Sequence, residues 1–212
     1  MKRRTHTSPS ESFVQNLLNQ RYSVQLRKLP VRHGKPTPDF KAEVFGEPIC
    51  TCELKALGRV PRTEAHGWKI QHHADGSQMA ERLDNSASRV SDAIHEAYKQ
   101  LKHYRHPRAL IVLNRDSTTY VSDLEDACSG QHVYASDHVH IVNTSARKIA
   151  RGKIRNEFGR IDLYIWIDDH HGTEVLFRCA TQCGYDLAQR HFNPEGHAWA
   201  GDDSGDDAEA SN

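Results

Sequence analysis

Residues 38–56 read Pro38-Asp39-Phe40-Lys41-Ala42-Glu43-Val44-Phe45-Gly46-Glu47-Pro48-Ile49-Cys50-Thr51-Cys52-Glu53-Leu54-Lys55-Ala56 and alternate apolar with polar side chains twice over. Phe40, Ala42 and Val44 interleave with Asp39, Lys41 and Glu43; after Phe45-Gly46-Glu47, Cys50, Cys52, Leu54 and Ala56 interleave with Ile49, Thr51, Glu53 and Lys55. A period of two marks a strand with one buried face, and two such runs around a glycine-bearing turn predict a β-hairpin. The apolar faces coincide only if cross-strand partners have numbers with an even sum, because a slip of one residue turns every side chain over. A three-residue turn at 45–47 meets that condition, pairing Val44 with Pro48 and therefore Asp39 with Glu53. Asp39, Glu53 and Lys55 then gather on the polar face, which hairpin folding alone does not require.

Gathered in this way, the three residues suit the hydrolysis of phosphodiesters. Two carboxylates on adjacent strands offer hard oxygen ligands for Mg²⁺, with Mn²⁺ as the alternative. Such a cation polarises a phosphoryl oxygen and acidifies a bound water. A lysine two residues along the same strand can orient that water or offset the charge of a pentavalent phosphorus. The competing reading is a hairpin whose polar face is merely solvated; Pro-Asp, thirteen residues, then Glu-x-Lys arises by chance in roughly one chain in ten of this size.

Outward from the hairpin, Ser10 and Glu11 before Phe13, Val14, Leu17 and Leu18 predict a capped amphipathic helix, and Tyr22–Leu29 alternates as a strand. Pro30–Pro38 is a polar loop. Residues 58–88 are polar and rich in histidine, an expected insertion with at most a short helix. A firm helix is predicted over Arg89–Tyr104, closed off by Pro107, and Ala109–Leu113 is an apolar run fit for a buried strand. Further on, a short helix at Ser122–Cys128, a strand at Val139–Val142, a basic helix or loop at 145–158 and strands at Ile161–Ile167 and Glu174–Phe177 are expected to extend the sheet. Residues 1–9 form a basic lead-in, 10–180 one domain, and 181–212 a polar end whose last twelve residues are an acidic, disordered tail.

Pro38-Asp39 with Glu53-Leu54-Lys55 resembles the signature of the PD-(D/E)XK, or restriction-endonuclease-like, nuclease superfamily. That core runs helix, three strands, helix, strand, with the aspartate on the second strand and Glu-x-Lys on the third; the order read from Ser10 to Leu113 is the same. The resemblance implies an α/β fold, a central mixed sheet flanked by helices, and Mg²⁺-dependent cleavage of DNA with Asp39, Glu53 and Lys55 catalytic. Glu11 matches an additional acid that the family's first helix often supplies for the metal. Its bland reading is a first-turn acid favoured by the helix dipole. Gln100-Leu101-Lys102-His103-Tyr104 resembles the Q-L-x-x-Y helix motif of RecB-type members, which implies that Gln100 and Tyr104 brace the site. The long insertion departs from that pattern. An iron–sulfur cluster of the RecB type is not expected, since near the C-terminus only Cys179 and Cys183 could serve it.

Composition bounds the remaining choices. The 212 residues are 37% apolar and carry equal numbers of Lys+Arg and Asp+Glu, 28 of each. The five acids of residues 201–212 conceal a charge of +5 over residues 1–200, mildly favourable to a polyanion. Arg147, Lys148, Arg151, Lys153, Arg155 and Arg160 concentrate that charge, either to hold a phosphate backbone or as a solvated helix. Trp68 could stack on a base or serve a small local core. Five cysteines argue against a disulfide scaffold, and Cys50 and Cys52 read as small core residues. Cys179, Cys183, His191 and His197 have finger-like ligand types, but only seven residues separate the two pairs where fingers use about twelve, so unrelated side chains are the favoured reading. No run approaches the ~18 apolar residues of a membrane span, and the basic N-terminus has no apolar stretch behind it, so a cytoplasmic protein is expected. A nuclease cutting both DNA strands often pairs two sites, which leaves a homodimer open, although no apolar stripe predicts one. An RNA-cleaving member of the same fold and a non-catalytic nucleic-acid-binding module are the alternatives.

Overall fold

Helix α1 (Pro9–Tyr22) leads into strand β1 (Gln25–Lys28) and the hairpin β2 (Phe40–Val44) and β3 (Glu47–Leu57). The computed structural model describes residues 7–31, 34–58, 68–72, 76, 78–82, 86–129, 131–135, 139–143, 155–192 and 198–200. The order continues with β4 (Trp68–His72), β5 (Gln78–Arg82), α2 (Ser86–Leu101), β6 (Arg108–Asn114), α3 (Val121–Ser129), β7 (Gln131–Ala135) and β8 (Val139–Asn143). It closes with α4 (Arg155–Phe158), β9 (Leu163–Asp168), β10 (Glu174–Cys179), α5 (Gln182–His191) and β11 (Ala198–Ala200).

Seven strands form one open mixed sheet in the order β1-β2-β3-β6-β9-β10-β11. β3, β6 and β9 are parallel, and the flanking pairs β1–β2, β2–β3 and β9–β10 are antiparallel. Both faces of the parallel centre are covered, which is why Ala109–Leu113 and Leu163–Ile167 are buried without alternation. One core joins Val14, Leu17 and Leu18 of α1 and Leu187 and Ala188 of α5 to Cys50, Cys52, Leu54, Ile111 and Ile165. The other joins Val90, Ile94, Ala97 and Leu101 of α2 and Leu124 of α3 to Leu57, Leu110, Val112 and Trp166.

Several elements differ from the sequence expectation. The N-cap of α1 is Ser8, not Ser10: its hydroxyl accepts from the Glu11 N–H and Glu11 accepts from the Ser8 N–H, a capping box with Pro9 in the first turn. The insertion holds a two-stranded hairpin, β4–β5, in place of a short helix. α2 stops at Leu101, three residues early, because the Tyr104 N–H turns back to the Leu101 carbonyl and the chain must reverse into β6. The segment after 180 does not begin as a polar end. Thr181 caps α5, whose Leu187 and Ala188, with Phe192 beyond it, enter the α1-side core, and β11 adds an edge strand. Gly184 lies against this sheet so closely that a Cβ would stand 1.8 Å from the Asp162 carbonyl oxygen, so only glycine fits. Strand β7 is additional to the expected elements, and it pairs with β8 in a separate two-stranded sheet, so Val139–Val142 does not extend the central one. The acidic tail 201–212 and Arg147, Lys148, Arg151 and Lys153 of the basic stretch lie outside the described residues. No helix among the described residues is long and apolar enough to cross a membrane.

Candidate active site

The hairpin reaches the expected register by an unexpected route. Its turn has two residues, Phe45 and Gly46, both at positive φ (51° and 84°), the geometry of a type I′ turn. Val44 therefore faces Glu47, and Glu43 faces Pro48, an odd sum that would set the two apolar faces against each other. A register shift between Ala42 and Glu43 leaves Ile49 as the extra residue; beyond it Ala42 faces Cys50 and Phe40 faces Cys52. The even sum is restored as far as Phe40–Cys52; Asp39 lies one residue before β2, outside the ladder, and meets Glu53 through side-chain bonds and not as a strand pair.

Alternation along β3 then sorts the side chains. Cys50, Cys52 and Leu54 enter the α1-side core, while Thr51, Glu53, Lys55 and Leu57 turn toward the α2 side, where Leu57 is buried. Ala56, expected on the apolar face, is exposed at the strand's end. Cys50 and Cys52 are buried neighbours with sulfurs 3.4 Å apart, and their mutual hydrogen bond together with burial pushes the Cys50 thiol well up.

Asp39 and Glu53 are locked together. The Asp39 N–H donates to Glu53 Oε2 (3.1 Å), and the Leu54 N–H donates to Asp39 Oδ2 (3.0 Å). Lys55 Nζ donates to Glu53 Oε1 at 2.8 Å. The Asp39 carbonyl accepts from the Leu29 N–H (2.9 Å), which ties the pair to the end of β1. Glu53 is only 4% exposed. Burial is the largest influence on its carboxyl and outweighs the Lys55 ammonium; with the Asp39 charge adding to it, the pKa rises to about 7.

Two carboxylates suit Mg²⁺, which takes one or two protein carboxylates and fills its remaining positions with water and substrate phosphate. Among the described residues no group of three or more His, Cys, Asp or Glu is arranged to hold a metal ion. Glu11 is engaged elsewhere. It sits on the helix that covers the opposite face of the sheet, capping Ser8 and accepting from Lys28 Nζ at 2.7 and 2.8 Å. Partial burial pushes its carboxyl up, but the Lys28 and Ser8 bonds together hold it below its ordinary value.

Gln100 stands in the last turn of α2, whereas Tyr104, expected on the same helix, lies in the turn that follows it. Gln100 Oε1 is buried without a hydrogen-bond partner among the described residues. Half-buried Tyr104 accepts from Arg108 Nε through its carbonyl. No hydrogen bond among the described residues joins either side chain to Asp39, Glu53 or Lys55. Glu96, one turn before Gln100 on α2, is exposed and bonded by Lys99 Nζ at 2.7 Å, and that bond chiefly holds its carboxyl below the usual range.

Sequence reading passed over a second charged group on this face. Arg27 and Lys41 are directly opposite each other on β1 and β2. Both lean on the buried Glu43 carboxylate, at 3.0 and 3.7 Å, Arg27 largely exposed and Lys41 half-buried. Lys41 and Glu43 share the alternation of Asp39, so the polar face that revealed the acids revealed these too. Of the finger-like set, Cys179 is buried on β10, Cys183 is exposed on α5 and His191 is the last residue of that helix, while His197 lies outside the described residues.

No protein-family model matches the sequence, and neither a curated protein nor a solved structure matches the chain.

Proposed function

We propose that the chain is a PD-(D/E)XK-type nuclease, a metal-dependent phosphodiester hydrolase acting on DNA. The observation that carries this reading is the mutual bonding of Asp39 and Glu53, with Lys55 on Glu53, at one partly open position on the polar side of β2–β3. The run α1, β1, β2, β3, α2, β6, with the β4–β5 hairpin between β3 and α2 among the described residues, supports a restriction-endonuclease-like core. DNA in preference to RNA rests on the sequence resemblance.

Asp39 and Glu53 would hold Mg²⁺, and bound there it supplies Lewis-acid polarisation of the phosphate and a more acidic water. The protein's own groups divide the remaining work. The Leu54 N–H fixes Asp39 Oδ2 and so orients that carboxylate. The Asp39 N–H on Oε2 and the Lys55 ammonium on Oε1 hold the Glu53 carboxylate in place, so it would meet the cation already oriented. Lys55 is the half-exposed cation of the set, placed to orient the attacking water and to offset the added negative charge on phosphorus.

Cleavage of supercoiled, linear and single-stranded DNA and of transfer RNA, each with Mg²⁺, Mn²⁺ or EDTA, tests this reading. Metal-dependent cutting of a DNA form is the expected result. Cutting of transfer RNA alone would move the substrate to RNA. Binding without cutting under every condition would overturn hydrolysis in favour of a binding module.

A further inference from the structure

The tip of the β2–β3 hairpin carries a side chain that folding does not explain. Phe45 is 94% exposed, so its ring contributes almost nothing to the core. A lone exposed apolar residue is ordinary, but Phe45 is also held at φ 51°. That left-handed conformation is costly for a bulky side chain, and the first position of a type I′ turn ordinarily takes Asn, Asp or Gly. Phe45 thus combines unfavourable backbone geometry with an unburied ring at the most protruding point of the strand pair that bears Asp39, Glu53 and Lys55.

Between the tip and the acids, two cations stand on the polar face, with exposed Glu47 next to the tip. Arg27 and Lys41 face each other across β1–β2, an arrangement of like charges that is unfavourable by itself and is held by Glu43 beneath them. The register continues from Lys41 to Thr51 on β3, so this row lies two residues from Asp39 and Glu53 on the same face, about 7 Å away. Phe45 is six residues from Asp39, about 20 Å along the strand. Acids, then paired cations, then an aromatic ring is an order that suits one nucleic-acid strand: a phosphate at the acids, a neighbouring phosphate over Arg27 and Lys41, and a base against the ring.

We infer that Phe45 is a stacking residue for an unpaired base of the substrate strand, with Arg27 and Lys41 holding the backbone between that base and the site. The inference rests on the nucleic-acid reading of Asp39, Glu53 and Lys55, and names the strand's path and its unpaired character. Phe45 touches no reacting atom and serves as a binding and positioning residue.

The test uses the full chain in EDTA, with a short labelled DNA oligonucleotide as a single strand and as a blunt duplex, read by fluorescence anisotropy. Phe45→Asn suits the turn better than phenylalanine, so its melting temperature should rise by about 2–4 °C. Its affinity for the single strand should nevertheless fall roughly tenfold. Phe45→Trp should retain or exceed wild-type affinity. A fluorescent adenine analogue moved along the strand should respond to Phe45 at one position only. Lys41→Ala should weaken binding and flatten its salt dependence. Equal single-strand binding by the wild type and Phe45→Asn overturns the inference, as does failure of Phe45→Trp to bind, Phe45-dependent binding of duplex alone, or no binding by the wild type. Parallel Mg²⁺ reactions separate the two claims. A strand bound through Phe45 but never cut removes hydrolysis and leaves the stacking residue standing. A strand cut and bound by Phe45→Asn as by the wild type removes the stacking residue and leaves hydrolysis standing.

Discussion

Lys55→Ala is expected to lower the rate of phosphodiester cleavage by about 10²–10⁴-fold, the usual range for one acid–base or charge-stabilising group. The same substitution leaves Glu53 without its one ammonium partner, the cation bonded to Oε1 at 2.8 Å. The Glu53 carboxyl, already raised to about 7 by burial, then rises further. Any residual activity should accordingly set in at higher pH than in the wild type, if the ionised carboxylate is the working form. Lys55→Arg restores the charge but not the compact ammonium geometry, so it should recover the pH profile better than the rate. Single-turnover cleavage across a pH series measures both effects. A Lys55→Ala rate near that of the wild type would show that the ammonium takes no part in the chemistry.

Glu53→Gln should separate stability from function. For a carboxyl raised in the folded state from 4.5 to about 7, the direction of the pH effect follows from proton counts. Below about pH 4.5 both folded and unfolded chains hold the proton and Glu53 has no effect on stability. Between about 4.5 and 7 the folded chain binds more protons than the unfolded one, so stability falls as pH rises. Above about 7 both states are ionised and the penalty is complete, on the order of 3 kcal/mol at 1.36 kcal/mol per pH unit. Glutamine has no charge to bury, so Glu53→Gln should stabilise the metal-free protein at alkaline pH and gain nothing below about pH 4.5. It should lose cleavage all the same. Added Mg²⁺ should raise the melting temperature of the wild type above pH ~7 and not that of the variant. Denaturant titrations at acidic and alkaline pH check the sign. A variant less stable than wild type at alkaline pH would mean that the carboxylate is already neutralised within the fold.

The hairpin was legible because Asp39, Phe40, Lys41 and their neighbours alternate without interruption and because burial of one face restricts the register. The way in which the register is met was not legible. Phe45-Gly46 lacks the Asn-Gly or Asp-Gly signature of its turn, and an extra Ile49 compensates for the shorter loop, so a three-residue turn and a two-residue turn with a bulge give the same pairing at Phe40. The true cap of α1 was readable in Ser8-Pro9-Ser10-Glu11, where only Ser8 stands three residues before the glutamate. α5 was obscured by composition. Gly184, Leu187 and Ala188 have helical spacing, but Gln182, Asp186, Gln189, Arg190 and His191 made the stretch read as polar surface. Which groups a first-turn acid meets is a tertiary fact, and the sequence does not show that Glu11 bonds Lys28 of β1 as well as capping Ser8.

The most direct test of the central claim is the rate of DNA cleavage against Mg²⁺ concentration for the wild type and Asp39→Asn. Asparagine keeps an oxygen to accept from the Leu54 N–H and removes the charge opposite Glu53, so the fold is retained while the cation site is lost. The account predicts saturable Mg²⁺-dependent cutting by the wild type, none in EDTA, and none by Asp39→Asn at any Mg²⁺ concentration. Cutting that persists in EDTA, or that Asp39→Asn performs at the wild-type rate, would contradict it.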